Sequence, residues 1–199
     1  MPEPCAPTFP SPRPSPVADR EGILYEELDL RSWIDDAAAI QARANDFDEA
    51  EARWRRGLLL RRAQDPDVRA VGALRDGELL GYTYGAPFDT TWSWGPRLLA
   101  ELDRAEEART LLPLGRPFVV LELHVDPSAW RLGIGSGLVR RLCGGAREPW
   151  VLLTRRRAAD QARLFYRSLG FRDLTCTERA DGYVAMGVRG NLRGLDVHR

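Results

Sequence analysis

The sequence predicts a mixed α/β domain in which helices and strands are interleaved along the chain. Apolar runs with the length and β-branched content of strands recur throughout the chain, and charged amphipathic segments with the length of helices lie between several of them. Their order, β-α-α-β-β-insert-β-α-β-α-β-β, is typical of a single α/β domain. With 199 residues, of which 44% are hydrophobic, the chain is long enough to form one domain with its own core.

The two ends of the chain differ from this pattern. Residues 1–20 hold seven of the 14 prolines, with serine and arginine between them. A segment of this composition neither pairs its backbone groups nor builds a core, so we predict a disordered or polyproline-like tail. We assign residues 21–192 to the folded domain and residues 193–199 to a C-terminal tail.

Local signals mark the ends of several predicted elements. Ser32 is suited to cap the first helix, Asp76-Gly77 is typical of a tight hairpin turn, and Gly170 ends the last helix. The predicted strands are 23–30, 117–125 and 149–154, together with a hairpin at 68–85 and a closing hairpin of 171–178 with 182–189 around Asp181-Gly182. The predicted helices are 32–47, 48–64, 97–109, 135–147 and 160–169.

Composition argues against several classes of function. The formal net charge is zero, so we expect neither nucleic acid nor a membrane surface as a partner. The three cysteines are far apart and the histidines are His124 and His198, which argues against a disulfide framework and a metal site. No apolar run approaches the ~20 residues of a membrane span and the chain does not open like a secretory signal, so we expect a cytoplasmic protein. All 29 basic residues are arginine, which leaves no lysine to act as a nucleophile.

Three glycines at alternate positions, Gly133, Gly135 and Gly137, lead into the helix predicted at 135–147. The first turn of a helix carries unpaired N–H groups and partial positive charge, and glycines let a phosphate approach them closely. Ser136 adds a hydroxyl donor. A Walker loop would need a lysine, and a Rossmann fingerprint would begin directly after its strand, whereas seven residues separate the strand from Gly133. A flexible turn without a ligand is the remaining alternative.

Two sequence blocks resemble the GNAT acetyltransferase family. "VDPSAWRLGIGSGL" (125–138) is similar to the family's acyl-CoA loop, which follows a strand that ends in a Val-x-Pro turn; Trp130 stands where the family has Arg or Gln, and Arg131 follows it. "ARLFYRSLGF" (162–171) resembles the family's Ala-x-x-(Leu/Phe)-Tyr-x-x-x-Gly-Phe segment. The blocks occur in the family's order and separation, and the order of elements matches over about residues 22–190.

This resemblance implies a central, mostly antiparallel sheet with a splayed pair of central strands and helices on both faces. It also implies acetyl-CoA as the acyl donor, without a metal. The pantetheine arm would lie along the gap between the splayed strands, where the N–H of Val125 would polarise the thioester carbonyl. The cofactor-binding residues that the resemblance assigns are Leu123, Val125, Arg131, Leu132, Gly133, Ile134, Gly135, Ser136, Gly137 and Asp160.

The general base is expected on the strand before the glycine loop. Side chains alternate along a strand, which predicts one face with Val119, Leu121, Leu123 and Val125 and another with Val120, Glu122 and His124. An ionised glutamate on a covered face needs a partner or a wet cleft. In the family that the chain resembles, a carboxylate on this strand often takes the proton from the attacking ammonium. We therefore predict Glu122 as the base and His124 as the second candidate; a structural salt bridge from Glu122 to an arginine is the alternative.

Tyr166 matches the tyrosine that, in many members of the resembling family, protonates the leaving thiolate. A phenol with a pKa near ~10 and a thiol with a pKa near ~8.5 are close enough for easy proton transfer. The alternative is that Tyr166 belongs to the buried face of its helix.

The acceptor amine is expected beside an aromatic cluster. The predicted substrate-binding residues are Tyr82, Tyr84, Phe88, Trp92, Trp94 and His124. A small core under the long insert is the alternative, and the charged helix that follows is either a solvated lid or the contact of a homodimer. We expect an N-acetyltransferase that modifies a primary amine of a small molecule by direct attack in a ternary complex. A non-catalytic GNAT-fold module that binds acyl-CoA is the alternative.

Overall fold

The computed structural model describes residues 17–18, 22–104, 117–144, 150–156, 160–175 and 183–189. The strands are β1 (Val17–Ala18), β2 (Leu24–Glu27), β3 (Arg69–Arg75), β4 (Glu78–Pro87), β5 (Phe118–Val125), β6 (Trp150–Arg156), β7 (Arg172–Asp173) and β8 (Tyr183–Arg189). The helices are α1 (Ile34–Asn45), α2 (Glu49–Ala63), α3 (Gly95–Arg104), α4 (Ile134–Gly144) and α5 (Asp160–Ser168), and a 3₁₀ turn covers Pro127–Ala129. None of the helices in these ranges is long and apolar enough to cross a membrane.

The described strands form one eight-stranded sheet in the order β1-β2-β3-β4-β5-β6-β8-β7. β5 and β6 run parallel, and the other neighbouring strands run antiparallel. The β5–β6 ladder ends at the pair Val120 and Leu153, although β5 continues to Val125 and β6 to Arg156. The prediction of a mixed, mostly antiparallel sheet with a splayed central pair is confirmed.

Helices cover both faces of this sheet and bury apolar residues in the clusters beside it. α4 and α5 pack on one face, α1 and α2 pack on the other, and α3 adds a third cluster beside α1 and α2. Neighbouring strand residues such as Leu79 and Leu80 belong to opposite clusters, as the alternation of side chains requires. The buried apolar side chains of the helices are Ile134, Leu138, Val139, Leu142, Cys143 and Tyr166 on the first face, Ile34, Ala37, Ile40 and Leu59 on the second, and Leu98 and Leu102 in α3.

The predicted turn between β3 and β4 is confirmed. Asp76 and Gly77 both have a positive φ, 54° and 83°, as expected for a two-residue hairpin turn whose twist matches that of the strands. The start of α2 also follows its sequence signal. Asp48 caps this helix by accepting the backbone N–H of Glu51 at 2.8 Å.

Two predicted boundaries differ from the structure. α1 begins at Ile34, and Ser32 does not cap it, because its hydroxyl donates to the carboxylate of Asp29 at 2.7 Å. The sheet also begins earlier than predicted, since β1 pairs with β2 from within the segment assigned to the tail. The turn at Asp181-Gly182 and the predicted helical residues 105–109 and 145–147 lie outside the described residues.

The alternation predicted along β5 is wrong because the strand contains a β-bulge. Tyr84 of β4 pairs with Glu122, and the next residue of β4, Gly85, pairs with Val120, so that Leu121 is an extra residue. The strands approach closely here, since a Cβ on Gly85 would overlap its neighbours on β5. As a result Val119 and Leu121 pack on the face of α1–α3, whereas Leu123 and Val125 join Val120 in the core under α4 and α5.

Candidate active site

Glu122 and His124 lie side by side on β5, on the face covered by α1. Oε2 of Glu122 is 2.8 Å from Nε2 of His124. The Glu122 side chain is 30% exposed and that of His124 is 12% exposed, so solvent reaches the carboxylate while the imidazole is mostly covered. Among the described residues, Glu122 therefore pairs with this histidine and not with an arginine.

Asn45 of α1 sets the proton position on His124. Its Nδ2 atom donates to the backbone carbonyl of Gln41 at 2.8 Å, which identifies it as the amide nitrogen, and the same atom lies 3.4 Å from Nδ1 of His124. Nδ1 is then an acceptor, and Nε2 carries the proton that His124 donates to Glu122. The side-chain amide nitrogen of Gln41 is placed 3.3 Å from the same Nε2. Because two donors cannot bond each other, this tautomer requires the amide oxygen of Gln41, which otherwise has no partner among the described residues, to face Nε2 instead. His124 thus orients one oxygen of the Glu122 carboxylate.

Tyr82 and Tyr84 form the packed floor beneath this pair. Tyr82 lies opposite His124 and Tyr84 lies opposite Glu122 in the β4–β5 ladder. The rings of Tyr82 and Tyr84 are stacked, with planes 3° apart and centroids 6.4 Å apart. Both rings are buried. Burial, with a smaller contribution from the Glu122 carboxylate, raises the pKa of both phenols well above their usual range, so both stay protonated. The two tyrosines therefore support the site from below and do not form an exposed wall.

Phe88, Trp92 and Trp94 pack against one another and against α3. The ring centroids of Phe88 and Trp92 are 5.8 Å apart, and those of Trp92 and Trp94 are 4.8 Å apart. Arg62 of α2 lies over Trp92, with its guanidinium carbon 5.1 Å from the ring centroid. This packing, shared with the buried residues of α3, favours a small core beneath the insert as the role of the three aromatic residues.

The turn that follows β5 is held by Asp126 and Trp130. The Asp126 carboxylate accepts the N–H and the hydroxyl of Ser128 at 2.9 and 2.6 Å, and it accepts Arg43 of α1 at 2.8 Å. Burial favours the neutral acid, but these donors outweigh it and lower the pKa of Asp126, which stays ionised. Trp130 donates its indole N–H to the carbonyl of Val125 at 2.8 Å.

The start of α4 offers an open backbone. Arg131 and Gly133 have positive φ angles of 67° and 76° and are exposed, whereas the side chain of Ile134, the first helical residue, is buried. A Cβ on Gly133 would meet no atom within 4 Å. The first-turn N–H groups of α4 lack helical partners, and Leu132 and Ser136 are half-buried beside them. Exposed backbone and unpaired donors at a helix start suit an anion.

Gly135 and Gly137 have a different role from Gly133, because neighbouring elements approach them. A Cβ on Gly135 would lie 3.4 Å from Phe165 of α5, and one on Gly137 would overlap the ring of Tyr25 on β2. The alternating glycines thus combine an open backbone at the first position with close packing of α4 at the last.

The edge of β5 beside this loop is open. The N–H of Asp126 donates to the carbonyl of Leu80 on β4 at 2.8 Å, so Val125 and Leu123 direct their own N–H and C=O groups toward the other edge. In the described part of the chain, that edge has no ladder to β6 beyond Val120. Backbone donors of two residues therefore face the gap between the splayed strands.

Tyr166 lies on the opposite face of the sheet from Glu122. It is 7% exposed, and its ring centroid is 4.9 Å from that of Phe165 and 5.6 Å from that of Phe171. Tyr166 belongs to the core cluster that Val125 packs against. Asp160, the other predicted residue of α5, is its first residue, and its side chain lies outside the described residues.

The sequence model of the acetyltransferase (GNAT) family matches residues 29–171, which include β5, the glycine loop and Tyr166. The chain belongs to the GNAT family. As a GNAT-family acetyltransferase, it carries the splayed strands and the glycine loop in the positions that its resemblance to the family implied.

Relatives and solved structures agree with this assignment. The GNAT chain is 29% identical over 160 residues to the GCN5-like protein acetyltransferase Rv2170 of Mycobacterium tuberculosis (strain ATCC 25618 / H37Rv), a match that covers 78% of this chain and 71% of that protein. The ribosomal-protein-S18-alanine N-acetyltransferase of Escherichia coli superposes with a TM-score of 0.59 at 16% identity, over 89% and 99% of the two chains. The PaiA N-acetyltransferase of Thermoplasma acidophilum, solved in complex with coenzyme A, gives a TM-score of 0.54 at 17% identity, over 84% and 98%. At these identities the structures show a shared fold.

Sequence reasoning missed the residues of α1 that hold His124 in this GNAT protein. Gln41 is buried among the apolar residues of α1, and Asn45 follows one turn later on the same side of the helix. A polar residue on the apolar face of a helix is a signal that could have identified Gln41, because a buried amide needs a partner. The indole bond of Trp130 to Val125 carries no comparable signal in the sequence.

Proposed function

We propose that this GNAT acetyltransferase moves the acetyl group of acetyl-CoA to a primary amine of a small molecule, by direct attack in a ternary complex. The observation that carries the proposal is the position of the Glu122 carboxylate, which is oriented by His124 beside a strand edge with free backbone donors. A base and a set of carbonyl-binding donors at one place are what acyl transfer to an amine requires.

The residues present fit coenzyme A. Residues 131–137 contain an arginine and no acidic residue, and their backbone leads into the N–H groups at the start of α4, which suits a pyrophosphate. Residues Arg131, Leu132, Gly133, Ile134, Gly135, Ser136 and Gly137 would hold it mainly by backbone contacts, with Asp160 at the start of α5 nearby in the family pattern. The N–H and C=O groups of Leu123 on the open edge suit an amide-bearing arm such as pantetheine.

Acetyl-CoA supplies an activated acetyl thioester, and the chain supplies the proton transfers. An ammonium ion must lose a proton before it can attack a carbonyl, and Glu122 takes that proton. His124 holds one oxygen of the Glu122 carboxylate in place during this transfer. The N–H of Val125 donates to the carbonyl oxygen as negative charge develops there. As the C–N bond forms and the C–S bond breaks, Tyr166, on the other face of β5, gives a proton to the leaving thiolate. The newly acylated nitrogen loses its extra proton, which restores the Tyr166 phenol through solvent.

The acceptor in this proposal is a small amine, because the carboxylate that must meet it is recessed between α1 and the sheet. Glu122 is 30% exposed, and the buried rings of Tyr82 and Tyr84 close the site from below. A slender amine reaches such a carboxylate more easily than a folded protein surface does. The names of the relatives include protein acetyltransferases, so a lysine peptide and an alanine-terminated peptide form the comparison set.

To test the proposal, CoA release from acetyl-CoA is measured with a panel of small amines and with these two peptides. We expect the best small amine to exceed both peptides in kcat/KM. Glu122→Gln should lower kcat with that amine about 10²-fold, because the group that takes the proton is lost. Glu78→Gln, an exposed glutamate at the start of β4, is the matched control and should leave turnover unchanged.

Three outcomes of this experiment would each contradict a different part of the proposal: the acceptor class, the assigned base or the reaction itself. Preference for a peptide would overturn the small-molecule acceptor and keep the reaction. Glu122→Gln with wild-type turnover would remove the assigned base. No CoA release above the uncatalysed rate with any acceptor would contradict the proposed function as a whole.

A further inference from the structure

Trp130 is a surface residue whose one polar atom points inward. Its side chain is 55% exposed, and it lies in the turn between β5 and α4. The indole nitrogen can only donate, and it donates to the backbone carbonyl of Val125 at 2.8 Å. The ring therefore lies on the outside of the turn, and its N–H links residue 130 to the end of β5.

This bond acts on the strand edge that is open. Because Asp126 donates to Leu80 on β4, both backbone groups of Val125 face away from β4, toward the gap beside β6. Trp130 takes the carbonyl of Val125. The carbonyl of Val125 is therefore already occupied by the indole N–H. The N–H of Val125 stays available on the same edge, where it can donate to the carbonyl of an incoming ligand.

The other side of the same turn is fixed by different contacts. Arg43 and Ser128 both bind the Asp126 carboxylate, and residue 81 of β4 approaches so closely that a Cβ on Gly81 would lie 3.2 Å from the Cα of Val125. These contacts tie the turn to α1 and β4. The indole bond is the contact that holds Val125 from the side of the gap.

We propose that Trp130 is a positioning residue that orients the N–H of Val125 toward the carbonyl of an extended thioester donor. It acts through Val125 and not by contact with the donor. The inference rests on the proposed function, in which that edge receives acetyl-CoA. An aromatic platform for a stacking ligand would use the exposed ring and would not depend on the indole N–H, which separates the two roles experimentally.

Two substitutions test the role of the N–H. Trp130→Phe removes the donor and keeps an aromatic ring; replacement of Trp130 by benzothienylalanine removes the donor and keeps both fused rings. Both should lower kcat/KM for acetyl-CoA about fivefold to tenfold, the usual range for one lost hydrogen bond, while KM for the amine and the melting temperature stay unchanged. Trp54→Phe, at an exposed tryptophan on α2, is the matched control and should change none of these values.

Hydrogen exchange provides a readout that does not need turnover. The amides of 121–126 should exchange faster in both Trp130 variants than in the wild type or in Trp54→Phe. Wild-type kinetics and wild-type amide exchange in both variants would overturn the proposal. It would also be overturned if Trp130→Ala lowered kcat/KM for acetyl-CoA and benzothienylalanine restored it, because the aromatic ring and not the N–H would then be responsible. If the wild type shows no turnover, the proposed function fails, and the exchange result alone decides whether Trp130 holds β5.

Discussion

A carboxylate that accepts a proton from an ammonium ion must be held in one orientation and must also be reachable, and Glu122 satisfies both conditions. His124 binds one of its oxygens, and Asn45 selects the tautomer of His124 that makes this possible. Partial exposure of Glu122 leaves a path for the acceptor. The proposed acid, Tyr166, is buried on the other face, where its ring packs against Phe165 and Phe171.

Substitution of Tyr166 by Phe tests the assigned acid. The ring packing stays, and the hydroxyl is lost, so kcat should fall about 10²-fold while KM for acetyl-CoA changes little. The measurement is steady-state CoA release, with the melting temperature recorded on the same preparation. Unchanged kcat in a folded Tyr166→Phe protein would assign the residue to the core of α5 alone.

Helix α4 illustrates how one element serves both the site and the core. Its first turn presents open backbone at Gly133, and one turn later it packs so closely on β2 that Gly137 has no room for a side chain. The two demands fix where the helix starts and how near it lies to the sheet. The position of the first turn, where Gly135 lies near Leu123 of β5, thus depends in part on the contact of Gly137 with Tyr25.

Alanine substitutions at two helical glycines separate packing from helix propensity. Gly137→Ala should lower the free energy of unfolding by about 1–2 kcal/mol, because overpacking against Tyr25 outweighs the gain in propensity. Gly57→Ala in α2 should raise it by about 0.5–1 kcal/mol, because a Cβ there has only Arg61 nearby, at 3.8 Å. Denaturant unfolding measures both.

A double variant identifies the contact responsible. Tyr25→Ala combined with Gly137→Ala should show a favourable coupling, since the collision is then gone. Stabilisation by Gly137→Ala alone, of the size expected for Gly57→Ala, would mean that α4 does not depend on this close approach.

At the scale of the whole molecule, the sequence predicted what local patterns determine. The turn at Asp76-Gly77, the start of α2 and the order of elements follow from residues that are neighbours in the chain. The bulge at Leu121 was not predicted, because it depends on how Gly85 of another strand pairs with β5. Nor was the contact of α1 with His124, which joins residues 83 positions apart.

The candidate site divides in the same way. Its glycine loop and catalytic candidates could be found from motifs, since such motifs are short and contiguous. The roles of the aromatic residues could not be predicted from the sequence. Tyr82 and Phe88 alternate or cluster as pocket residues would, and only the packing of α1 and α3 over them shows that they are buried. Periodicity identifies an apolar face but not whether a ligand or a helix covers it.

The proposed reaction requires acetyl-CoA to bind at the gap beside β5 and the loop at Gly133. Isothermal titration of acetyl-CoA into the wild-type protein tests this directly. Gly133→Val is the comparison variant, because it fills the open space in front of the loop and strains its left-handed backbone. We predict saturable one-to-one binding with a micromolar dissociation constant for the wild type and at least tenfold weaker binding for Gly133→Val. A folded wild-type protein that gives no binding heat and no thermal shift with millimolar acetyl-CoA would contradict the account.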